Sequence, residues 1–180
     1  MRNNRLHLRK LTIMATLTAA ALIIFIIEMQ IPLPIAIPGA KLGLANVITL
    51  FALFYSRKSA NNTSVSLTGT DAFIILISRI FLGAIFTGRI LTLLLSFGGG
   101  TLGFISQLLA KKIVTDKQIW VCGVIGGVFH NVGQILMAMF LTGTTAIISY
   151  LPALVIVGIV SGAITGLVAQ AVLSRLSTSS

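Results

Sequence analysis

The chain has 180 residues, of which 56% are hydrophobic and only 9% charged, and its mean hydropathy is +1.05. This composition excludes an ordinary soluble domain and indicates a membrane protein. The formal charge of +10 does not indicate nucleic-acid binding, because the cations lie between long apolar runs instead of clustering on one exposed face.

The apolar runs predict an all-α fold, a single domain of six transmembrane helices. A bilayer core about 30 Å thick needs roughly 20 residues per helix at ~1.5 Å of rise per residue. We predict spans near residues 11–29, 42–56, 69–87, 90–110, 118–141 and 149–173. Residues 1–10 are predicted to be a basic leader and residues 174–180 a short tail. The first run is too long for a cleaved signal sequence and more spans follow, so we expect it to be retained.

The distribution of Lys and Arg predicts the orientation of these spans through the positive-inside rule. Ten of the 13 cations fall on one side when six spans are threaded: Arg2, Arg5, Arg9, Lys10, Arg57, Lys58, Lys111, Lys112, Lys117 and Arg175. We therefore predict a multi-pass protein of the bacterial cell membrane with both termini in the cytoplasm.

Three cations, Lys41, Arg79 and Arg89, are left in the outer half of the protein. A lipid-facing Arg near mid-span costs about 2.5–3.5 kcal/mol, so Arg79 must face protein or water. Glu28 is the local acid, and the remaining positive charge is what an anion-binding cavity needs. Alternatively, Arg79 pairs with Glu28 or with backbone carbonyls, Arg89 extends to the outer headgroups and Lys41 is a solvated loop charge.

The fifth span carries the string GVFHNVGQ, which brings polar side chains to mid-membrane. His130 and Gln134 are four residues apart and Asn131 and Gln134 three apart, so the three share a helical sector. They either contact a ligand or hydrogen-bond across the bundle. A metal site is not expected, because no second His, Asp or Glu lies near His130 in sequence and Cys122 is the single cysteine.

Proline and glycine mark two further features. Pro32, Pro34 and Pro38 prevent a regular helix after the first span, and the apolar loop around them is predicted either to cover a cavity, with Lys41 and Asn46 at its exit, or to pack across the bundle mouth. Small residues at helical spacing predict close helix packing. They are Gly99, Gly103, Gly123, Gly127, Gly158, Gly162 and Gly166.

Three strings carry a resemblance to a known family: IPGAKLGLANVITLFAL, SRIFLGAIFTGR and GVFHNVGQ. Over residues 8–175 the chain resembles the bacterial Gx transporter family, which also bears the name heptaprenyl diphosphate synthase component I. That family looks like a branch of the substrate-binding S components of energy-coupling factor (ECF) transporters, which are six-helix proteins with cytoplasmic termini.

The resemblance implies a partner module made of a transmembrane T protein and two ATP-binding cassette ATPases. The AxxxA motif by which S components meet the T protein maps onto Ala15 and Ala19. The ligand pocket of the family lies under the loop after the first helix. There it implies a ligand set of Lys41, Asn46, Arg79, Arg89, His130, Asn131 and Gln134.

The enzyme name that the family bears can be compared with the composition. Chain-elongating prenyl synthases hold diphosphate through Mg²⁺ on aspartate-rich motifs, because hard cations require several carboxylate oxygens. Asp71 and Asp116 are the two aspartates of this chain, and no Walker motif is present. We therefore expect no enzyme and no cofactor, and any use of ATP must come from a partner.

These observations predict the substrate-binding subunit of an ECF-type importer, which captures a small, anionic and partly apolar molecule such as a prenyl diphosphate or a quinone precursor. One rival interpretation is a noncatalytic membrane component associated with heptaprenyl diphosphate synthase and isoprenoid quinone synthesis. Another is a solitary transporter that needs no ATPase.

Overall fold

The computed structural model of the chain describes residues 2–31, 41–58 and 64–178. In these ranges the chain forms six helices and one two-stranded hairpin. The helices are α1 (Arg2–Glu28), α2 (Asn46–Phe54), α3 (Gly69–Thr87), α4 (Ile90–Ala110), α5 (Ile119–Thr142) and α6 (Leu151–Thr178). The hairpin strands are β1 (Ser56–Lys58) and β2 (Ser64–Ser66), and short 3-10 turns precede α5 and α6.

Five of the helices are long and apolar enough to cross a membrane, which makes the chain a multi-pass membrane protein. The predicted limits of α3 and α4 are confirmed. Thr68 and Asp71 form a capping box at the start of α3, and Gly88 ends this helix in a left-handed conformation at φ 62°. Most residues of the predicted leader and tail are helical. Helix α1 already begins at Arg2 and α6 continues to Thr178, since no Gly or Pro interrupts either end.

The predicted second span differs from a full transmembrane helix. Helix α2 has nine residues, about 13 Å of rise against the roughly 30 Å of a bilayer core. Residues 41–45 before it are not helical, and Gly43 has a φ of 80° that favours glycine. We call residues 41–45 the buried segment, because they lie among α1, α4, α5 and α6 with side chains that bond their backbone.

The fold is all-α as predicted, and the short hairpin lies in the polar loop between α2 and α3. Its strands pair antiparallel, with Ser56 opposite Ser66, Arg57 opposite Val65 and Lys58 opposite Ser64. Val65 and the following Leu67 are buried, so the alternation of apolar and polar residues fixes which face of β2 turns inward.

Helix α5 lies between α4 and α6 and packs on both through glycines, as the sequence predicts. A Cβ added at Gly103 would lie 2.9 Å from the carbonyl oxygen of Gly126 on α5. On the other side of α5, Gly123 abuts Gly162, and Gly127 abuts Gly158. Such contacts allow backbones to approach closely, which favours helix association in lipid.

The basic residues that are predicted to be cytoplasmic lie at one end of the bundle. Lys10 Nζ lies 2.7 Å from Asp71 at the start of α3, and Lys111 donates a hydrogen bond to the carbonyl of Leu53 at the end of α2. The backbone N–H of Trp120 at the start of α5 donates to Gln170 near the end of α6. These contacts place one end of each of the six helices at the same end of the bundle, and that end carries the cations predicted to be cytoplasmic.

Candidate functional site

The buried segment is held by two side chains that take up its backbone hydrogen-bonding groups. Glu28, at the end of α1, accepts hydrogen bonds from the N–H groups of Gly43 (2.5 Å) and Ala45 (3.4 Å). Gln134, on α5, accepts from the N–H of Lys41 at 3.0 Å and donates to its carbonyl at 3.1 Å. Non-helical backbone is tolerated at membrane depth only when its polar groups are satisfied in this way.

The Lys41 side chain turns into the bundle. Its Nζ donates a hydrogen bond to the hydroxyl of Ser96 at 2.7 Å and lies 3.8 Å from the centre of the Phe25 ring. Cation–π contacts of this kind gain strength when they are desolvated.

Arg79 begins a chain of polar contacts that crosses the bundle. One of its terminal nitrogens, Nη2, lies 3.4 Å from Oδ1 of Asn46, at the start of α2. Asn46 Nδ2 lies 3.0 Å from Nδ1 of His130, and His130 Nε2 lies 2.5 Å from Nε2 of Gln134. The cluster therefore joins α2, α3 and α5 to the buried segment. We call Glu28, Lys41, Asn46, Arg79, His130 and Gln134 the polar cluster.

The polar cluster contains two cations and one acid, all buried. Glu28 and Arg79 are each 3% exposed and Lys41 is 8% exposed. In the described part of the chain the guanidinium Nε of Arg79 has no hydrogen-bond partner, and its one bond, to Asn46, is long. A buried charge that lacks partners costs free energy, so this arrangement is suited to receiving an anion.

Two glycines bring the elements of the polar cluster into contact. A Cβ at Gly43 would lie 2.9 Å from Cδ2 of His130, and a Cβ at Gly99 would lie 2.8 Å from Cγ of Gln134. Contacts below 3 Å are not tolerated by real side chains, so both positions require glycine for packing. The glycine at 99 thus lets α4 lie directly against the His130 and Gln134 face of α5.

The structure brings five of the seven predicted ligand residues together and leaves two apart. Lys41, Asn46, Arg79, His130 and Gln134 form one contact network.

Asn131 and Arg89 lie elsewhere. Asn131 turns to α6, where its Nδ2 donates to the carbonyl of Leu154 at 2.6 Å, which is the inter-helix role left open by its sequence. Arg89 is exposed at the connection between α3 and α4. The sequence-based placement of both in the pocket is therefore not supported by their positions.

Other sequence-based sites fall outside this network. Ala15 and Ala19 are exposed on α1, between exposed Leu11 and exposed Ile23, and they contact no core. The prolines predicted to shape a covering loop lie outside the described residues. A groove of about 320 Å³ between α4 and α5, lined by Gly98, Gly133 and mostly apolar neighbours, includes no residue of the polar cluster.

Sequence reasoning gave Glu28 only the role of a counter-charge and missed Ser96. Glu28 is the acid at the end of the first apolar run, and its position before a proline-rich segment is the signal that it could bond backbone there. Ser96 carries no sequence signal of its own, because a serine in a transmembrane helix commonly bonds its own backbone.

The fold and this polar cluster define a multi-pass membrane protein whose interior holds a charged, hydrogen-bonded site. The chain belongs to the heptaprenyl diphosphate synthase component I family, which it matches over residues 17–172. The chain matches no curated protein and no solved structure.

Proposed function

We propose that this protein is the substrate-binding membrane subunit of an ECF-type importer and that it binds a small anion with an apolar part, such as a prenyl diphosphate or a quinone precursor. The observation that carries the proposal is the pair of buried cations, Lys41 and Arg79, with Glu28 as their one nearby acid. Burial of uncompensated charge is a cost that a purely structural core avoids, and an anionic ligand removes that cost.

Five members of the polar cluster have a defined part in this proposal. Arg79 and Lys41 bind the anion, because both present donors with full charge in a site shielded from water. Gln134 holds the backbone of Lys41 and His130 supports Asn46. The aliphatic faces of the surrounding helices accommodate the apolar part of the ligand.

The proposal includes a sixth membrane crossing through residues 41–54. The nine helical residues of α2 rise about 13 Å of the roughly 30 Å bilayer core, and the buried segment, which turns at residues 43–45, lies inside the bundle ahead of them. The chain then crosses six times, and the basic end of the bundle faces the cytoplasm with both termini.

Ligand binding tests the proposal directly. The purified protein in lipid nanodiscs is expected to bind farnesyl diphosphate and, more weakly, inorganic pyrophosphate, but not farnesol, which lacks the charge. Arg79→Ala and Arg79→Lys are expected to lose binding, since neither restores the guanidinium, while Arg89→Ala serves as the matched control because Arg89 is exposed. Normal binding by both Arg79 variants would show that Arg79 has a structural role only.

The partner module is tested separately. Ala15 and Ala19 are exposed on α1, so a T protein has access to them. We expect the tagged chain to recover a T protein and two ATPases from its host membrane, and Ala15→Leu with Ala19→Leu to lose them without changing the melting temperature. Recovery of the same module by the double variant would exclude this face as the contact.

A second candidate function is a noncatalytic membrane subunit that holds a prenyl synthase or its product at the membrane. It is favoured by the family to which the chain belongs, whose description names a synthase component. Recovery of a soluble synthase in place of a T protein would favour it. A solitary transporter instead predicts substrate flux in proteoliposomes that contain no ATPase.

A further inference from the structure

The groove between α4 and α5 opens to the outside of the bundle, because its lining residues Ile105, Leu136 and Phe140 are exposed. Both helices are long and apolar enough to cross a membrane. Neither helix contains Asp, Glu, Lys or Arg, either in residues 90–110 or in residues 119–142. The groove therefore faces the hydrocarbon of the bilayer.

The groove lies deep within the span of α4. Gly98 is about 12 Å along the axis from the start of this helix at Ile90, and Ile105 is about 8 Å from its end at Ala110. On α5 the groove extends to Phe140, two residues before the helix ends at Thr142. A bilayer core is about 30 Å thick, so most of the groove is at a depth that lipid headgroups do not reach.

Glycines on both helices keep the floor of the groove free of side chains. A Cβ added at Gly98 would lie 2.8 Å from the carbonyl oxygen of Gly133 and 2.8 Å from Cβ of Met137, so the two backbones are in contact there. Larger residues, among them Leu102 and Leu136, line the groove around this floor. A hydrocarbon chain in such a hollow makes dispersion contacts on more than one side, which it cannot do on a convex helix surface.

The polar atoms of the groove are already bonded. Thr101 is the lining residue with a polar side chain, and its hydroxyl donates to the carbonyl of Phe97 at 2.5 Å and lies 3.3 Å from that of Gly98. A hydroxyl that bonds its own helix in this way requires no further partner. The groove is thus suited to hydrocarbon and offers nothing to a polar group.

The groove is separated from the polar cluster by the seam between α4 and α5. Gly99, the residue after Gly98, packs on the other side of this seam, where an added Cβ would lie 2.8 Å from Cγ of Gln134 and 2.8 Å from the carbonyl oxygen of His130. Backbones in such close contact leave no passage between them. An apolar tail that belongs to an anion in the polar cluster therefore cannot reach the groove through the seam.

A helix of a partner protein does not fit the groove either. Helices approach closely in lipid where small residues form the outermost surface. Here the glycines lie at the floor, behind the exposed side chains of Ile105, Leu136 and Phe140. The volume of about 320 Å³ is at the lower end of the roughly 300–1,000 Å³ of small-molecule sites.

We propose that this groove binds one hydrocarbon chain of a bilayer phospholipid, in the leaflet on the Phe140 side, and that it recognises the chain and not the headgroup. Between Lys117 and Arg175 the sequence has no Asp, Glu, Lys or Arg that could select a headgroup. Arg89 is nine residues before Gly98 on α4, about 180° around the helix from it. The inference is independent of the proposed function, because it concerns the other side of the α4–α5 seam.

Native mass spectrometry of the purified chain tests the proposal, with dioleoyl phosphatidylglycerol or dioleoyl phosphatidylcholine as the added lipid. One phospholipid is expected to stay bound after the other lipids have been removed by collisional activation, to the same extent for both headgroups. Retention of phosphatidylglycerol alone would overturn the proposal, since it would show that charge holds the lipid.

Filling the groove tests its location. Thr101→Phe places a ring in the groove and breaks no bond between helices, so the retained fraction is expected to fall roughly tenfold through the loss of about ten dispersion contacts. The control is Val160→Phe, which adds the same ring at an exposed position on α6 and is expected to retain the lipid. Retention by Thr101→Phe equal to that of the parent would overturn the proposal.

A second pair of variants decides the question if Thr101→Phe does not fold. Leu136→Ala with Phe140→Ala removes two exposed side chains from the sides of the groove, and the lipid is expected to be lost at lower activation. Ile156→Ala with Leu167→Ala makes a comparable change at two exposed positions of α6 and is expected to have no effect. Equal retention by the two double variants would contradict the proposal.

Two other occupants have distinct outcomes. An excess of farnesyl diphosphate is expected to leave the phospholipid bound, and displacement would show that the groove receives the tail of that ligand instead. The parent and Thr101→Phe are expected to have the same oligomeric state. A parent dimer that Thr101→Phe converts to a monomer would show that a second copy of the chain covers the groove, and it would overturn the proposal.

Discussion

Replacement of Arg79 by methionine is expected to stabilise the unliganded protein while it abolishes anion binding. Arg79 is 3% exposed and makes one long hydrogen bond, at 3.4 Å, so its removal loses at most about 1 kcal/mol of bonding. Replacing a buried ion pair or triad by apolar side chains of similar volume has been neutral or has stabilised proteins by about 1–4 kcal/mol, and here Lys41 remains as the cation near Glu28 when Arg79 is replaced. The balance is a gain of roughly 0–3 kcal/mol, or up to about 10 °C in melting temperature for a chain of this size.

The single cysteine provides the assay for this prediction. Cys122 is fully buried on α5, so a maleimide that fluoresces on reaction with thiol reports unfolding as the temperature rises. Arg89→Met is the control, because Arg89 is exposed and its loss is expected to change stability by less than about 0.5 kcal/mol. A melting temperature for Arg79→Met well below that of the parent would refute the reasoning, since it would show that Arg79 is a cation the folded protein needs without ligand.

One further outcome follows from the buried segment. Gly43→Ala is expected to lower the free energy of unfolding by about 2–3 kcal/mol, since φ is 80° and the added Cβ meets His130. The control is Gly88→Ala, where φ is 62° and nothing lies within 4 Å of an added Cβ, so it carries only the backbone cost of about 1–2 kcal/mol. Equal melting temperatures for the two variants would contradict the packing argument.

The long helices were predictable because the physical signal for them is local. Apolar runs of 19 and 21 residues, separated by Gly88 and Arg89, gave the limits of α3 and α4, since glycine in a left-handed conformation ends the first of them. The glycine contacts of α5 were equally predictable from spacing alone. Each of these features depends on neighbouring residues in sequence and on the rise of a helix.

The short length of α2 was not predictable, because the residues that hold the chain before it in a non-helical form are distant in sequence. An apolar run from residue 42 reads as a helix, and what unwinds its first part is the capture of backbone groups by Glu28 and by Gln134 on α5. Gly43 is the one local signal, and a lone glycine in an apolar run is common in membrane helices.

The polar residues of α5 show the same limit on a smaller scale. His130 and Gln134 are separated by four residues, about 400° around the helix, so they lie within roughly 40° of one another and face the buried segment together. Asn131 is about 100° from His130, enough to turn it to α6. Sequence spacing identified a shared polar sector, but the division of that sector between two neighbouring helices depends on where those helices pack.

The position of the polar cluster follows from the way the bundle gains its stability. Lipid supplies no hydrophobic driving force between helices, so close backbone packing and inter-helix hydrogen bonds must supply it. Helix α5 has glycine contacts with both α4 and α6, and this rigid set of three helices carries Ser96, His130 and Gln134. The buried segment is then fixed against this support through the backbone of Lys41. Movement of the buried segment away from α5 therefore requires release of the two Gln134 bonds to the backbone of Lys41.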